Sequence, residues 1–207
     1  MKIPFELDIH NLIDDLRNFS WEASKVMLYY AGEIKGLEEK KNIIKTKRNE
    51  DPVTLADLKV NELIIQRINQ KYPNYNWGIL SEENVKFSPE NRMPNSWPEW
   101  LWVLDPLDGT KDFIQGTGNY AMHLSLNYKK RPLIGVVLIP EKDELWITNG
   151  TKLWCEKSDG SQKIINISKN KKLSQLTLVS SKNHRNQKLE KLIERIDFKK
   201  VITMGSI

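Results

Sequence analysis

A single cysteine, Cys155, among 207 residues rules out an internal disulfide and fits a reducing compartment. It stands in an alternating, strand-like pattern with no histidine or acid pair beside it, and reads as structural. No apolar run approaches the length needed to span a bilayer. The N-terminus, with Glu6 and Asp8, lacks the build of a signal peptide. The expected location is the cytoplasm. No nucleic-acid recognition motif accompanies the lysines within 40–48 and 169–172, and the net charge of +5 is mild. Those lysines read as solvated faces able to attract an anionic substrate. What remains is an ordinary globular composition, 39% hydrophobic and 29% charged, sufficient for one generous domain or a domain and a half.

The most informative stretch is Trp100-Leu-Trp-Val-Leu-Asp-Pro-Leu-Asp-Gly-Thr-Lys-Asp-Phe113. Residues 101–104 suit a short buried strand. Pro106 lacks a backbone donor and is expected to stop the ladder, while Gly109 permits a tight turn or a close approach to a ligand. Asp105 and Asp108 fall where strand gives way to turn. Residues 110–114 can then begin a helix, whose first amides are unpaired and partially positive. A hard cation between the aspartates and a phosphate on the amides suit that geometry, which points to metal-assisted phosphate-ester hydrolysis. Taken singly, Asp-Pro and Asp-Gly are ordinary turn pairs, and an aspartate before a helix is an ordinary cap. Two acids, a proline, a glycine and a threonine in one six-residue window favour the functional reading.

Asp105-Pro-Leu-Asp-Gly-Thr110 resembles the metal-binding motif of the inositol monophosphatase superfamily, magnesium-dependent and lithium-sensitive phosphatases. The resemblance implies that Asp105, Asp108 and the Leu107 carbonyl bind Mg²⁺ and that Thr110 helps activate the attacking water. The continuation Thr110-Lys111-Asp112-Phe113 looks more like the bisphosphate nucleotidase branch, which acts on adenosine 3′,5′-bisphosphate, than the inositol branch. Gly109, Thr110 and Lys111 are then the expected substrate contacts. The implied fold is α+β: a layered sandwich of N-terminal helices and an antiparallel sheet, followed by the start of a second α/β domain. Residues 1–168 read as the metal-binding domain and 169–207 as the beginning of an incomplete C-terminal one.

Elsewhere, residues 10–31 carry apolar positions at intervals of three and four, which predicts a core-facing helix closed by Gly32. His10, at its start, reads as a surface residue. Residues 37–51 are charged and without periodicity, so a flexible connection is expected. Thr54-Leu-Ala-Asp57 opens a second helix ended by Tyr72-Pro73, with Val60, Leu63, Ile64 and Ile68 as its buried stripe. Asp57 is the acid of a capping box begun by Thr54. Pro52-Val-Thr-Leu-Ala-Asp57 also resembles the family's Val-Thr-x-x-Asp element, which implies that Asp57 orients the nucleophilic water or binds a further metal. Trp77-Gly-Ile-Leu-Ser-Glu-Glu-Asn84 resembles the family's Glu-Glu element, which implies that Glu82 bridges metal ions while Glu83 is less direct. Residues 85–99 read as a surface excursion.

Residues 120–128 alternate cleanly, with His123 on the face opposite Tyr120, Met122, Leu124 and Leu126, an ordinary strand position. A turn at Arg131-Pro132, a strand over 133–139, a turn over 140–143 and short strands at 145–148 and 152–155 predict an antiparallel meander. From about residue 173 the order strand (176–180), helix (186–196), strand (199–203) suggests a second, α/β unit. Ser180-Ser-Lys-Asn-His184 resembles the segment where the second domain meets the substrate, so His184 is a candidate nucleotide contact, beside the alternative of a surface histidine.

The resemblance implies a Trp-Asp-x-Ala element whose aspartate completes the metal site, and this sequence contains none. The chain therefore reads as missing most of its second domain, with weak Mg²⁺ binding, impaired activity and exposed apolar surface expected. The expected function is Mg²⁺-dependent removal of the 3′-phosphate of adenosine 3′,5′-bisphosphate to give AMP. An inositol or sugar monophosphatase is the alternative, and a poorly active or non-catalytic binding protein is the alternative of another class. The partner expectations are a small-molecule phosphate substrate, no nucleic-acid polymer, no membrane, and room for a homodimer.

Overall fold

The computed structural model describes residues 8–36, 44–46, 52–87, 98–181 and 186–204. It is an α+β fold divided into two compact units, Met1–Ile165 and Asn166–Ile207. In the first unit, helices α1 (Ile9–Gly36) and α2 (Leu55–Lys71) pack together against a seven-stranded sheet. The strands are β3 (Gly78–Ser81), β4 (Trp100–Asp108), β5 (Ala121–Tyr128), β6 (Arg131–Ile139), β7 (Glu144–Thr148), β8 (Leu153–Glu156) and β9 (Gln162–Ile165), neighbouring one another in chain order. The β3–β4 pair is parallel and every later pair antiparallel, so the expected meander forms from β4 onward.

Alternation fixes which face is buried. Trp102 and Leu104 of β4, Met122, Leu124 and Leu126 of β5, and Ile134, Val136 and Leu138 of β6 meet Leu12, Leu16, Phe19, Ala23 and Met27 of α1 and Val60, Ile64 and Ile68 of α2. Each of the larger of these side chains contributes about 1.5–3 kcal/mol by leaving water. The intervening residues Val103, Val137, Trp146 and Leu153 look the other way and line a groove of about 640 Å³ on the opposite face. An aromatic ladder joins the end of α2 to β3 and β4: Tyr75 stacks on Trp77 at 4.6 Å, Trp77 meets Trp102 at 5.7 Å, and Trp100 stacks on Tyr128 at 4.6 Å.

Several expectations are corrected. Helix α1 does not stop at Gly32 but runs on to Gly36, because buried Ala31 and Ile34 extend its core stripe past the glycine. The 37–51 connection is not wholly irregular: β1 (Ile44–Thr46) pairs antiparallel with β2 (Pro52–Thr54), while the remainder lies outside the described residues. The β5–β6 turn falls at Lys129 and Lys130, both at positive φ, and Arg131 and Pro132 already belong to β6. Pro132 is tolerated there because the ladder shifts register at Leu126/Asn127. Strand β9, a short exposed edge without alternation, had no signal to betray it. Part of the 85–99 excursion is helical, since α3 (Glu82–Phe87) extends into it; residues 88–97 lie outside the described residues.

The second unit follows the β-α-β order read from its sequence. Strands β10 (Thr177–Ser181) and β11 (Lys200–Met204) pair in parallel, and α5 (Gln187–Arg195) is capped by Asn186, whose Oδ1 accepts the Leu189 N–H at 3.0 Å. Among the described residues, no helix is long and apolar enough to cross a membrane.

Candidate active site

Three junctions bring most of the candidate residues into one region: the β2–α2 start, the β3–α3 junction and the end of β4. In the parallel β3–β4 ladder Ser81 pairs with Leu104, which sets Glu82 at the level of Asp105. Glu82 and Asp105 line the same groove, and His123 stands directly opposite Asp105 across the β4–β5 ladder and lines it too. The alternation of β5 put His123 on the face away from the core, but a cross-strand neighbour is not written in either strand alone. Of the paired glutamates, Glu83 is the buried one, at 1% exposure, while Glu82 is half-buried.

Pro106 does not stop the ladder. Strand β4 continues to Asp108, and the irregularity is taken up as a bulge between Asp105 and Asp108. Within it Asp105 Oδ1 accepts the Leu107 N–H at 3.2 Å, and the Thr110 hydroxyl donates to the Leu107 carbonyl at 3.2 Å. The Leu107 side chain is buried and anchors this loop. Gly109, at φ 85° and ψ 34°, turns the chain into α4 (Thr110–Gln115) through the left-handed region, where a Cβ would be strained. Lys111 is exposed on the first turn of α4. His184 lies outside the described residues.

Asp57 realises the capping box read from the sequence. Its Oδ2 accepts the Thr54 N–H at 2.9 Å and the Thr54 hydroxyl at 2.6 Å, while Thr54 Oγ1 accepts the Asp57 N–H at 3.3 Å. Strand β2, which ends in Thr54, packs against α4, so the start of α2 approaches the element that carries Thr110. Helix α4 is steadied from behind. Phe113 meets Tyr120 edge to face at 4.7 Å, and the Tyr120 hydroxyl donates to Glu141 Oε1 at 3.1 Å, the oxygen that also pairs with Lys35. Burial, reinforced by Glu141, pushes the Tyr120 hydroxyl well above the usual tyrosine range.

Sequence reading passed over Asn61. It lies one turn after Asp57 on the buried stripe of α2, accepts the Ser81 hydroxyl through Oδ1, and donates from Nδ2 to Asn84 Oδ1 at 3.3 Å. A polar residue at an apolar position of the helical repeat was the available signal.

The donors here are hard oxygens: three carboxylates and the Leu107 carbonyl. Such a set suits a small divalent cation that retains several waters. Among the described residues, no three acidic, histidine or cysteine side chains converge closely enough to cage an ion by themselves. The Leu107 carbonyl and solvent would therefore supply part of the coordination.

This arrangement, a carboxylate pair on a bulge at the end of an interior strand that leads into a short helix, belongs to a known class. The inositol monophosphatase family matches residues 10–206, and the chain belongs to it. It is 31% identical over 160 residues to the 3′(2′),5′-bisphosphate nucleotidase CysQ of Buchnera aphidicola, covering 77% of this chain and 57% of that protein. It is also 32% identical over 159 residues to the bifunctional phosphatase IMPL2, chloroplastic, of Arabidopsis thaliana, covering 76% of this chain and 42% of that one. Among solved structures, Thermotoga maritima IMPase superposes with a TM-score of 0.68 at 19% identity, covering 95% of this chain and 69% of that chain. The chain thus spans little more than half the length of the Buchnera relative.

Proposed function

We propose that this chain forms the metal-binding part of a Mg²⁺-dependent phosphomonoesterase that removes the 3′-phosphate of adenosine 3′,5′-bisphosphate. The observation that carries the reading is the β4 bulge, which runs from Asp105 to Asp108, ties the Asp105 carboxylate and the Thr110 hydroxyl together through Leu107, and lies at the level of Glu82. Glu82, Asp105, Asp108 and the Leu107 carbonyl would hold the cation. When bound, Mg²⁺ polarises the phosphate and lowers the pKa of a water. Thr110 Oγ1, 3.2 Å from the Leu107 carbonyl, orients that water, and the Asp57 carboxylate accepts its proton. The amides after Asp108 and the Lys111 ammonium receive the phosphate charge. The water oxygen bonds to phosphorus as the bond from phosphorus to the 3′-oxygen breaks. The leaving 3′-oxygen takes a proton from solvent, and Asp57 returns the proton it accepted to solvent, giving AMP and inorganic phosphate.

The nucleotide substrate is favoured by Lys111 and by the similarity to CysQ at 31% identity. An inositol or sugar monophosphate is the second reading, favoured by the match of residues 10–206 to the inositol monophosphatase family. Phosphate release from adenosine 3′,5′-bisphosphate and from inositol 1-phosphate, with Mg²⁺ varied, decides between them. Faster release from the nucleotide, reduced to background by Asp105→Asn, is expected. Preference for the inositol ester overturns the substrate assignment. Release that ignores Mg²⁺ and survives Asp105→Asn overturns the mechanism.

A further inference from the structure

We infer that Asn61 is a positioning residue for the metal site, holding Glu82 at a fixed distance from Asp57. The inference rests on the metal-binding part of the reading above. Asn61 follows Asp57 by four residues on α2, so both project from one helix face. At 8% exposure its amide is nearly excluded from water, and both of its polar atoms are engaged. The partners are what give it meaning. Ser81, fully buried, is the residue immediately before Glu82 at the end of β3. Asn84 is two residues after Glu82, in the first turn of α3.

One amide therefore holds the side chains of the residues that flank Glu82, Ser81 before it and Asn84 after it, and ties the β3–α3 junction to the helix that carries Asp57 in its first turn. An apolar residue at this point would fill the space, but it would leave the buried Ser81 hydroxyl without its acceptor. It would also free the β3–α3 junction to shift against α2. Supporting groups of this kind typically change metal affinity by about 10–100-fold when removed, although they never touch the ion.

The test is calorimetric titration of the 207-residue chain with Mn²⁺, alongside thermal unfolding of each variant without metal. Asn61→Ala is expected to weaken Mn²⁺ binding about ten-fold or more. Asn84→Ala, at an exposed position, is expected to weaken it in the same direction by less. The double variant Asn61→Ala/Ser81→Ala should bind no more weakly than Asn61→Ala alone, because the two share one hydrogen bond. Glu156→Gln, on β8 and bonded to α1, serves as a remote control that lowers the unfolding temperature without changing Mn²⁺ affinity. Wild-type affinity in Asn61→Ala, with only a lowered unfolding temperature, overturns the inference. Should Asn61→Ala fail to fold, unchanged affinity in both Asn84→Ala and Ser81→Ala overturns it equally. A wild-type chain that binds no Mn²⁺ removes the metal-site reading on which the inference rests. Mn²⁺ binding by the wild type that none of these variants weakens leaves that reading standing and removes the positioning role alone.

Discussion

The Asp57 carboxylate meets two demands. Its Oδ2 closes the cap of α2, accepting from both the N–H and the hydroxyl of Thr54, and it does so at 2% exposure. The catalytic role proposed for it thus starts from a side chain already fixed by the helix end, which removes the entropy of orienting it. Tyr120 offers a sharper single-residue test. Its hydroxyl is pushed up first by burial and then by Glu141, so in the folded chain it keeps its proton at pH values where the unfolded chain has released it. The stabilisation is complete below about pH 10 and is lost progressively as the pH rises beyond it. Tyr72, buried and bonded to Asp15, behaves in the same sense. Urea midpoints at pH 8 and pH 10.5 should show a clear alkaline loss in the wild type and a smaller loss in Tyr120→Phe.

At the scale of elements, the long-range tie between α1 and β8 is the contact to break. Glu156 accepts from Arg17 Nε at 2.5 Å and Nη2 at 2.8 Å, and from the Trp154 indole at 2.5 Å, although its own strand is short. Removing one member of a buried pair costs roughly 3–5 kcal/mol. The Arg17 side chain keeps 27% exposure, so Glu156→Ala should fall at the lower end of that range, read as a shift in urea midpoint. What sequence could foretell followed the same division between local and remote. Helix α2 was legible because Thr54 and Asp57 make their cap within four residues, and the β-α-β order of the second unit because each element carries its own period. Periodicity also separated the two faces of β5. The bulge at Pro106 was not legible, because a proline alone cannot say whether a strand ends or absorbs it. Asn61 was hidden for a related reason, since its partners lie 20 and 23 residues away.

At the scale of the whole chain, stability should be distributed unevenly. The first unit holds the apolar core, whereas among the described residues of the second only Ser180 is buried. Ile167, at 85% exposure, Val179 and Leu192 all face water there. Amide exchange followed by mass spectrometry should show slow exchange across β4, β5 and β6 and fast exchange over residues 166–181 and 186–204. Comparable protection in both would contradict this distribution.

The aromatic ladder between α2 and β4 has an optical consequence. Trp77 lies 6.4 Å from Trp100 and 5.7 Å from Trp102, at tilts of 36° and 68°, close enough for their excited states to couple. Coupled indoles at fixed skew angles produce a signed circular dichroism couplet in their strong far-ultraviolet band that isolated tryptophans lack. Because Trp77 immediately precedes β3 and Trp102 sits in β4, that couplet is a built-in gauge of the strand register that sets Glu82 at the level of Asp105. A slip of one residue between the strands would be visible in the spectrum of the unlabelled chain.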